Sequence, residues 1–293
     1  MPRIKIITDS ASDISPEQAE ELNIGLMKFP IAVGDESYRE HVDFSATDFY
    51  EIMKKTEELP HTSQVTTFDY MDEYKAAFEQ GVTDLVNVVI SSTGSNCYNN
   101  SIMARDSFFE EHPAARGKFR IHILDSKGYT GAYGLPVLLA ATKIQKGVSV
   151  KEITEFLQEW FDSSVIVCTA YTLKYARKSG RVNCVAAFVG EVLGLRPIIT
   201  FKDAVSETID KIRGDRNVPV RMVDEAVSQM IPQTPYAILD GSNPARAKEL
   251  TELMKKRTGY LPEYTLQVGA TIASHLGHDV AGIVVKGENR RTK

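Results

Sequence analysis

Hydroxyl side chains gather where the strand-like runs of the first half end. The run from Ile4 closes in Thr8-Asp9-Ser10, the run through Val88 in Ser91-Ser92-Thr93-Gly94-Ser95, and the run through Ile121 in Asp125-Ser126, while His61-Thr62-Ser63-Gln64 adds a further polar loop. In open parallel sheets ligands bind beyond the carboxyl ends of the strands, so these residues share one rim. Hydroxyls beside the free N–H groups of a helix start suit an anion, either carboxylate or phosphate. Serine and threonine also cap helices with no ligand present, so one such loop alone says little. Several around a single rim say more.

Other chemistries leave fainter traces. Neither G-x-G-x-x-G nor G-x-x-x-x-G-K-[ST] occurs, and Gly128, Gly131 and Gly134 have the wrong spacing for a nucleotide loop. His275-Leu276-Gly277-His278-Asp279 sets two histidines beside a carboxylate, a thin basis for a metal, and the expectation is no metal site. Ser95 could meet a distant histidine and Asp9 or Asp125 in space as a triad, but no G-x-S-x-G elbow surrounds it. The residues favour binding over covalent chemistry and leave the second open.

The elements that must hold this rim follow from periodicity. Strand-like runs at 4–8, 84–90 and 119–124 alternate with helices at 45–55, 67–80, 96–110 and 129–145, which predicts βαβ units and a parallel, Rossmann-like sheet. Ser15-Pro16-Glu17-Gln18 carries a capping box, and the apolar run 24–33 ends at a Gly34-Asp35 hairpin turn. After Gly147-Val148 the pattern changes: a helix at 151–160, strands at 165–170, 196–201, 206–209, 236–239, 264–268 and 280–285, an apolar helix at 183–193, and helices from Val218 and Asn243. The turn at Lys202-Asp203 makes a hairpin, and the second half reads as α+β with a largely antiparallel sheet. The expected domains are residues 1–147 and 148–293.

With 293 residues, 43% hydrophobic and 25% charged, the chain has room for two cores. A net charge of -5 argues against broad nucleic-acid binding. The basic clusters Lys174–Lys178 and Arg290–Lys293 are read as solvated faces or a partner patch. Cys97, Cys168 and Cys184 are widely spaced and form no C-x-x-C pair, which fits reduced thiols in a cytoplasm. No apolar stretch approaches the ~20 residues of a membrane span, so no stable membrane insertion is expected.

Taken in order, these loops resemble one family over essentially the whole chain. Thr8-Asp9-Ser10 with Asp13-Ile14, Thr62-Ser63-Gln64, the Ser91–Ser95 loop, Asp125-Ser126-Lys127, Leu173 through Ser179-Gly180-Arg181, Arg196-Pro197-Ile198, Lys211-Ile212-Arg213 and His275-Leu276-Gly277 are similar to successive motifs of the bacterial DegV family, the EDD fold. The resemblance implies a non-catalytic carrier of a long-chain fatty acid, without cofactor, with the acyl chain in a tunnel between two domains. It implies delivery to a separate fatty acid kinase for phospholipid synthesis. By position, Thr62 and Ser95 would hold the carboxylate, Arg181 and His275 would complete the polar end, Ser63 and Ser92 would stand beside them, and Arg213 would face the partner or a phosphate. The alternative is a serine esterase or acyltransferase using Ser95, His275 and a rim aspartate.

The physics suits the assignment. A carboxylate in a dry pocket is costly unless paired and hydrogen-bonded, whereas burying ~14 methylenes contributes roughly 11 kcal/mol before ordering costs. Residues 182–193, with Ala186, Ala187, Phe188 and Val189, are a candidate tunnel wall. The chain departs from the family pattern at Gly94, Asn96 and Cys97, where leucine, glycine and threonine are usual, and at His278-Asp279, where a proline-glycine run is usual.

Overall fold

The computed structural model describes residues 3–186, 194–202 and 204–289. The first half runs β1 (Ile4–Asp9), α1 (Pro16–Glu21), β2 (Ile24–Met27), β3 (Pro30–Val33), β4 (Glu36–Arg39), α2 (Ala46–Lys55), β5 (His61–Thr62), α3 (Thr67–Glu79), β6 (Asp84–Val89), α4 (Cys97–Glu111), β7 (Arg120–Asp125) and α5 (Gly131–Gln145). The second half runs α6 (Val150–Ser163), β8 (Ser164–Ala170), α7 (Lys174–Ser179), α8 (Asn183–Ala186), β9 (Leu195–Lys202), β10 (Val205–Arg213), α9 (Val218–Gln229), β11 (Ala237–Asp240), α10 (Pro244–Thr258), β12 (Tyr264–Gln267), α11 (Ala270–Leu276) and β13 (Val280–Lys286).

The order β2-β1-β6-β7 makes a parallel four-stranded sheet. Every residue of β6 is buried, as an interior strand covered on both faces requires. Capping boxes at Ser15, Ser45, Thr66 and Ser149 fix where α1, α2, α3 and α6 begin. The six-stranded sheet β10-β9-β8-β13-β11-β12 is antiparallel except between β11 and β12. Alternation splits its side chains between two cores. Ile166, Cys168, Leu239 and Val284 pack toward the first half, while Val167, Ile238, Ile283 and Val285 pack with residues of α9 and α10. The expected α/β first half and mostly antiparallel second half are both present.

Several local expectations change. The apolar run 24–33 is two strands in different sheets. Phe29 turns its N–H onto the Ser10 hydroxyl at 3.1 Å, and Pro30 has no N–H with which to continue a ladder. β3 therefore pairs with β4 and with His61–Thr62, expected as a loop but here a short strand. The basic cluster at 174–178 forms α7, burying Tyr175 and Ala176 while its Lys and Arg residues face solvent. Helix α11 was also not expected. Of the helix expected at 183–193, Asn183–Ala186 is seen; residues 187–193, and the tail at 290–293, lie outside the described residues.

Buried carboxylates tie the two halves together. Asp13 accepts from the Gly269 N–H at 2.8 Å and from the Thr130 hydroxyl. Glu40 accepts from the Thr271 N–H at 3.1 Å, the Thr271 hydroxyl at 2.6 Å and the Ser10 hydroxyl at 2.6 Å. A Cβ on residue 269 would lie 2.4 Å from Glu40 Oε1, so only glycine admits the carboxylates this close to the start of α11. Asp9 sits behind them, accepting from Tyr133 Oη at 2.6 Å, Ile90 N at 2.8 Å and Ala11 N at 3.2 Å. Tyr50 reaches across to the Val268 carbonyl, and Tyr175 donates back to the Met53 carbonyl at 3.0 Å.

Burial pushes Asp9 up to about 6 against the pull of its hydrogen bonds, and pushes Asp13 well above the usual carboxylate range. Between pH 4 and 6 the folded protein therefore holds a proton at Asp9 that the unfolded chain has released, so this residue's contribution to stability falls as pH rises through that window. Urea melts at pH 4 and pH 6.5 will show wild type losing stability relative to Asp9→Asn on the order of 3 kcal/mol across the window. A wild-type-minus-variant difference that does not change with pH would refute an ionisable, buried Asp9.

Candidate ligand site between the two halves

The face of the six-stranded sheet that meets the first half leaves a cavity of about 240 Å³. A single buried water needs roughly 10–15 Å³, so this void is ligand-sized. Its walls are largely apolar: Phe29 and Ile90 from the first half, and Ile166, Leu239, Val268 and Val280 from the second. Polar lining comes from Thr62, Gln64, Ser95, Asn96, Arg181 and His275. Thr130 and Thr271 also line it, but their hydroxyls are spent on Asp13 and Glu40.

Two elements from opposite halves make the central polar pair. The short ladder Ile31↔Thr62 fixes Thr62, and α11, anchored at its start by Asp13 and Glu40, carries His275 in its last turn. Thr62 Oγ1 and His275 Nε2 lie 2.8 Å apart. Burial, with the charge of Arg181 next in weight, lowers the His275 pKa to about 4, so the ring is neutral at pH 7. Its Nδ1 is buried without a partner. A buried orphan N–H is rarer than a buried orphan acceptor, which assigns the proton to Nε2. His275 then donates to Thr62, and the Thr62 hydroxyl hydrogen is left to point at something else.

Ser95 is similarly available. Its hydroxyl donates to Cys97 Sγ at 3.2 Å, a weak acceptor that a carboxylate would displace. Burial pushes the Cys97 thiol up to about 12, so it is no competing anion. Arg181 follows the left-handed Gly180 at the end of α7 and has an exposed side chain that reaches the cavity lining. Among the described residues its guanidinium has no ion pair.

Of the residues expected at the site, Thr62, Ser95, Arg181 and His275 meet around one void. Ser63 and Ser92 do not. Both are exposed and outside the lining, and Ser92 is held by Asp125 through its N–H at 3.1 Å and its hydroxyl at 2.5 Å. Arg213 ends β10 in an exposed position, also outside the lining. The proposed triad is not assembled: Ser95 bonds to a thiol, His275 to Thr62, Asp9 to Tyr133 and backbone, and Asp125 to Ser92 and Lys127 N. His275 and His278 diverge, the second pairing with Ser242 at 2.8 Å, and no cluster of three metal-ligating side chains occurs among the described residues. No described helix is long and apolar enough to cross a membrane.

Sequence reasoning missed Phe29, Tyr129, Phe201 and the β8 pair Ile166 and Cys168 as lining residues. Alternation along β8 could have put Ile166 and Cys168 on one face; nothing local pointed Tyr129 or Phe201 at the cavity.

The model of the DegV family, described as an uncharacterised protein family, matches residues 3–288. A DegV domain-containing protein of Clostridium perfringens is 29% identical over 98% of this chain and 99% of its own. Among solved structures, a stearic-acid-binding protein from Eubacterium ventriosum superposes with a TM-score of 0.86 at 22% identity, covering 98% of this chain and 99% of that one. The Streptococcus pneumoniae Fatty Acid Kinase (Fak) B3 protein, loaded with linoleic acid, gives 0.84 at 20% identity over 98% and 100% of the two chains. At these identities the solved structures establish the shared fold, and the family match, spanning nearly the whole chain, decides the rest: this protein belongs to the DegV family.

Proposed function

We propose that this protein is a cytoplasmic carrier that buries a long-chain fatty acid between residues 1–147 and 148–293 and presents it to a fatty acid kinase, with no turnover of its own. The acyl chain lies along Ile90, Ile166, Leu239 and Val280, and the carboxylate is held by Thr62, Ser95, Arg181 and His275. The observation that carries the reading is an arginine without an ion pair among the described residues, lining a largely apolar void beside the Thr62–His275 pair, whose imidazole burial keeps neutral. One permanent positive charge and two hydroxyl donors match one carboxylate.

Relatives supply the ligand class: the Eubacterium ventriosum protein binds stearic acid and the Fak B3 protein was loaded with linoleic acid. The kinase partner comes from the name of the latter and from the family resemblance. Arg213, exposed on the β9–β10 hairpin, is the residue we assign to the partner-facing surface.

Protein purified from bacteria and denatured will release a fatty acid visible by mass spectrometry. Arg181→Ala will weaken binding of added palmitate or oleate about 10- to 100-fold, the loss of one charge-assisted contact, with an unchanged melting temperature. Folded wild-type protein that carries no lipid and ignores both acids would sink the proposal.

Thr62→Val removes the hydroxyl that passes the His275 hydrogen bond to the ligand and leaves its volume nearly intact. It will cost about tenfold in affinity for the acid; equal affinity for wild type and variant would remove Thr62 from the site. Arg213→Ala will leave that affinity as it is and slow acyl phosphate formation when a fatty acid kinase and ATP are supplied. An unchanged rate would place the partner surface elsewhere.

A further inference from the structure

The wall of the cavity nearest Ser95 is built in an unusual way. Residue 94, adjacent to Ser95, contributes no side chain. A Cβ placed there would lie 2.6 Å from Tyr129 Cε1 and 2.7 Å from Tyr129 Oη. The space that a side chain of the hydroxyl loop would fill is taken instead by the ring of Tyr129, from the turn before α5. That ring lines the cavity and packs against Phe201 of β9 with centroids 5.3 Å apart at 59°. Phe201 belongs to the other half of the chain and lines the cavity too. An aromatic pair therefore joins the two halves at the cavity wall.

The backbone under Tyr129 is held in place at a cost. Lys127 and Thr130 both have positive φ, 51° each, a region non-glycine residues avoid. Hydrogen bonds fix the segment, among them Lys127 N to Asp125 Oδ1 at 2.9 Å, Gly128 N to Ser126 Oγ at 3.2 Å, Ser91 N to the Gly128 carbonyl at 3.1 Å, and Thr130 N to the Ala11 carbonyl at 3.0 Å. Gly94 is fixed as well, its N–H on the Ser91 carbonyl at 3.0 Å. Neither side of the contact can drift away from the other. Strain retained on both sides of one residue, with that residue's ring aimed into a ligand-sized void, points to a role for the ring in what the void accepts.

We infer that Tyr129, admitted by the bare Gly94 and braced by Phe201, is a specificity-determining residue of this cavity, narrowing it beside Ser95, at the carboxyl end of the ligand, so that acids unbranched next to the carboxylate are favoured over acids carrying a methyl branch there. This rests on the fatty-acid reading above. Removing the ring opens a pocket that bulkier chains can fill. Restoring bulk from position 94 closes it again, because the two positions compete for one volume.

The test compares wild type, Tyr129→Ala, and Tyr129→Ala combined with Gly94→Leu, each stripped of lipid and titrated with palmitate, a palmitate carrying a methyl branch on the carbon next to the carboxylate and one carrying it on the following carbon. Relative to palmitate, Tyr129→Ala will gain at least about tenfold in affinity for the two bulkier acids. The double variant will return the ratio to within about threefold of wild type. If Tyr129→Ala does not fold, Tyr129→Leu, which keeps an apolar side chain against Phe201, carries the same comparison with the gain in the same direction. Variants that bind all three acids with wild-type ratios would overturn the assignment of Tyr129 and leave the carrier reading standing. Failure of wild type itself to bind any of the three would remove the carrier reading, and this inference with it.

Discussion

A carboxylate taken out of water has to be met by donors, because desolvation alone costs more than most single contacts return. Asp9, Asp13 and Glu40 are buried, and their oxygens are met by hydroxyls and backbone N–H groups: Tyr133, Ile90 and Ala11; Thr130 and Gly269; Ser10 and Thr271. No lysine or arginine takes part in that set. The raised pKa values of Asp9 and Asp13 show that donors alone leave part of the desolvation cost uncovered. Such an arrangement is a poor source of stability and a good source of register, since Gly269 and Thr271 can satisfy Asp13 and Glu40 in only one docking of the two halves.

The same rule, applied to a ligand, describes the cavity. In the proposed carrier role the Thr62 and Ser95 hydroxyls are donors of the kind the clamp uses, with the difference that Arg181 adds charge. On the carrier reading proposed above, Arg181 supplies the permanent charge that the clamp does without. Keeping His275 neutral follows from the same balance: burial and the nearby guanidinium both disfavour a second positive charge.

What was legible in the sequence was whatever is written locally. The β-branched runs, the capping boxes and the change of pattern after Gly147 marked the parallel sheet, the helix starts and the antiparallel second half. The hydroxyl rim marked one side of the cavity. What was not legible depends on residues far apart. Ser63 and Ser92 have the same chemistry as Thr62 and Ser95 and sit one and three positions away, yet pairing to β3 turns Thr62 inward, and Asp125 ties Ser92 to the surface. Asp9 looked like a rim carboxylate available for catalysis; burial and three donors make it a structural one. The family motifs located these residues without distinguishing a clamp from a binding group.

Helix α11 joins the two roles. It has seven residues, too few to be stable by itself, and its sequence contains no cap, its N-cap being Gly269 without a side chain. At its start the N–H groups of Gly269 and Thr271 are taken by Asp13 and Glu40 from the other half. Its last turn presents His275 to Thr62, again across the interface. Both ends of the helix thus take contacts from the opposite half, beside its packing on α7. The geometry of the polar end is therefore not a local property of the loops that carry its hydroxyls; it is set about one and a half turns away, by the carboxylates that fix how the two sheets meet.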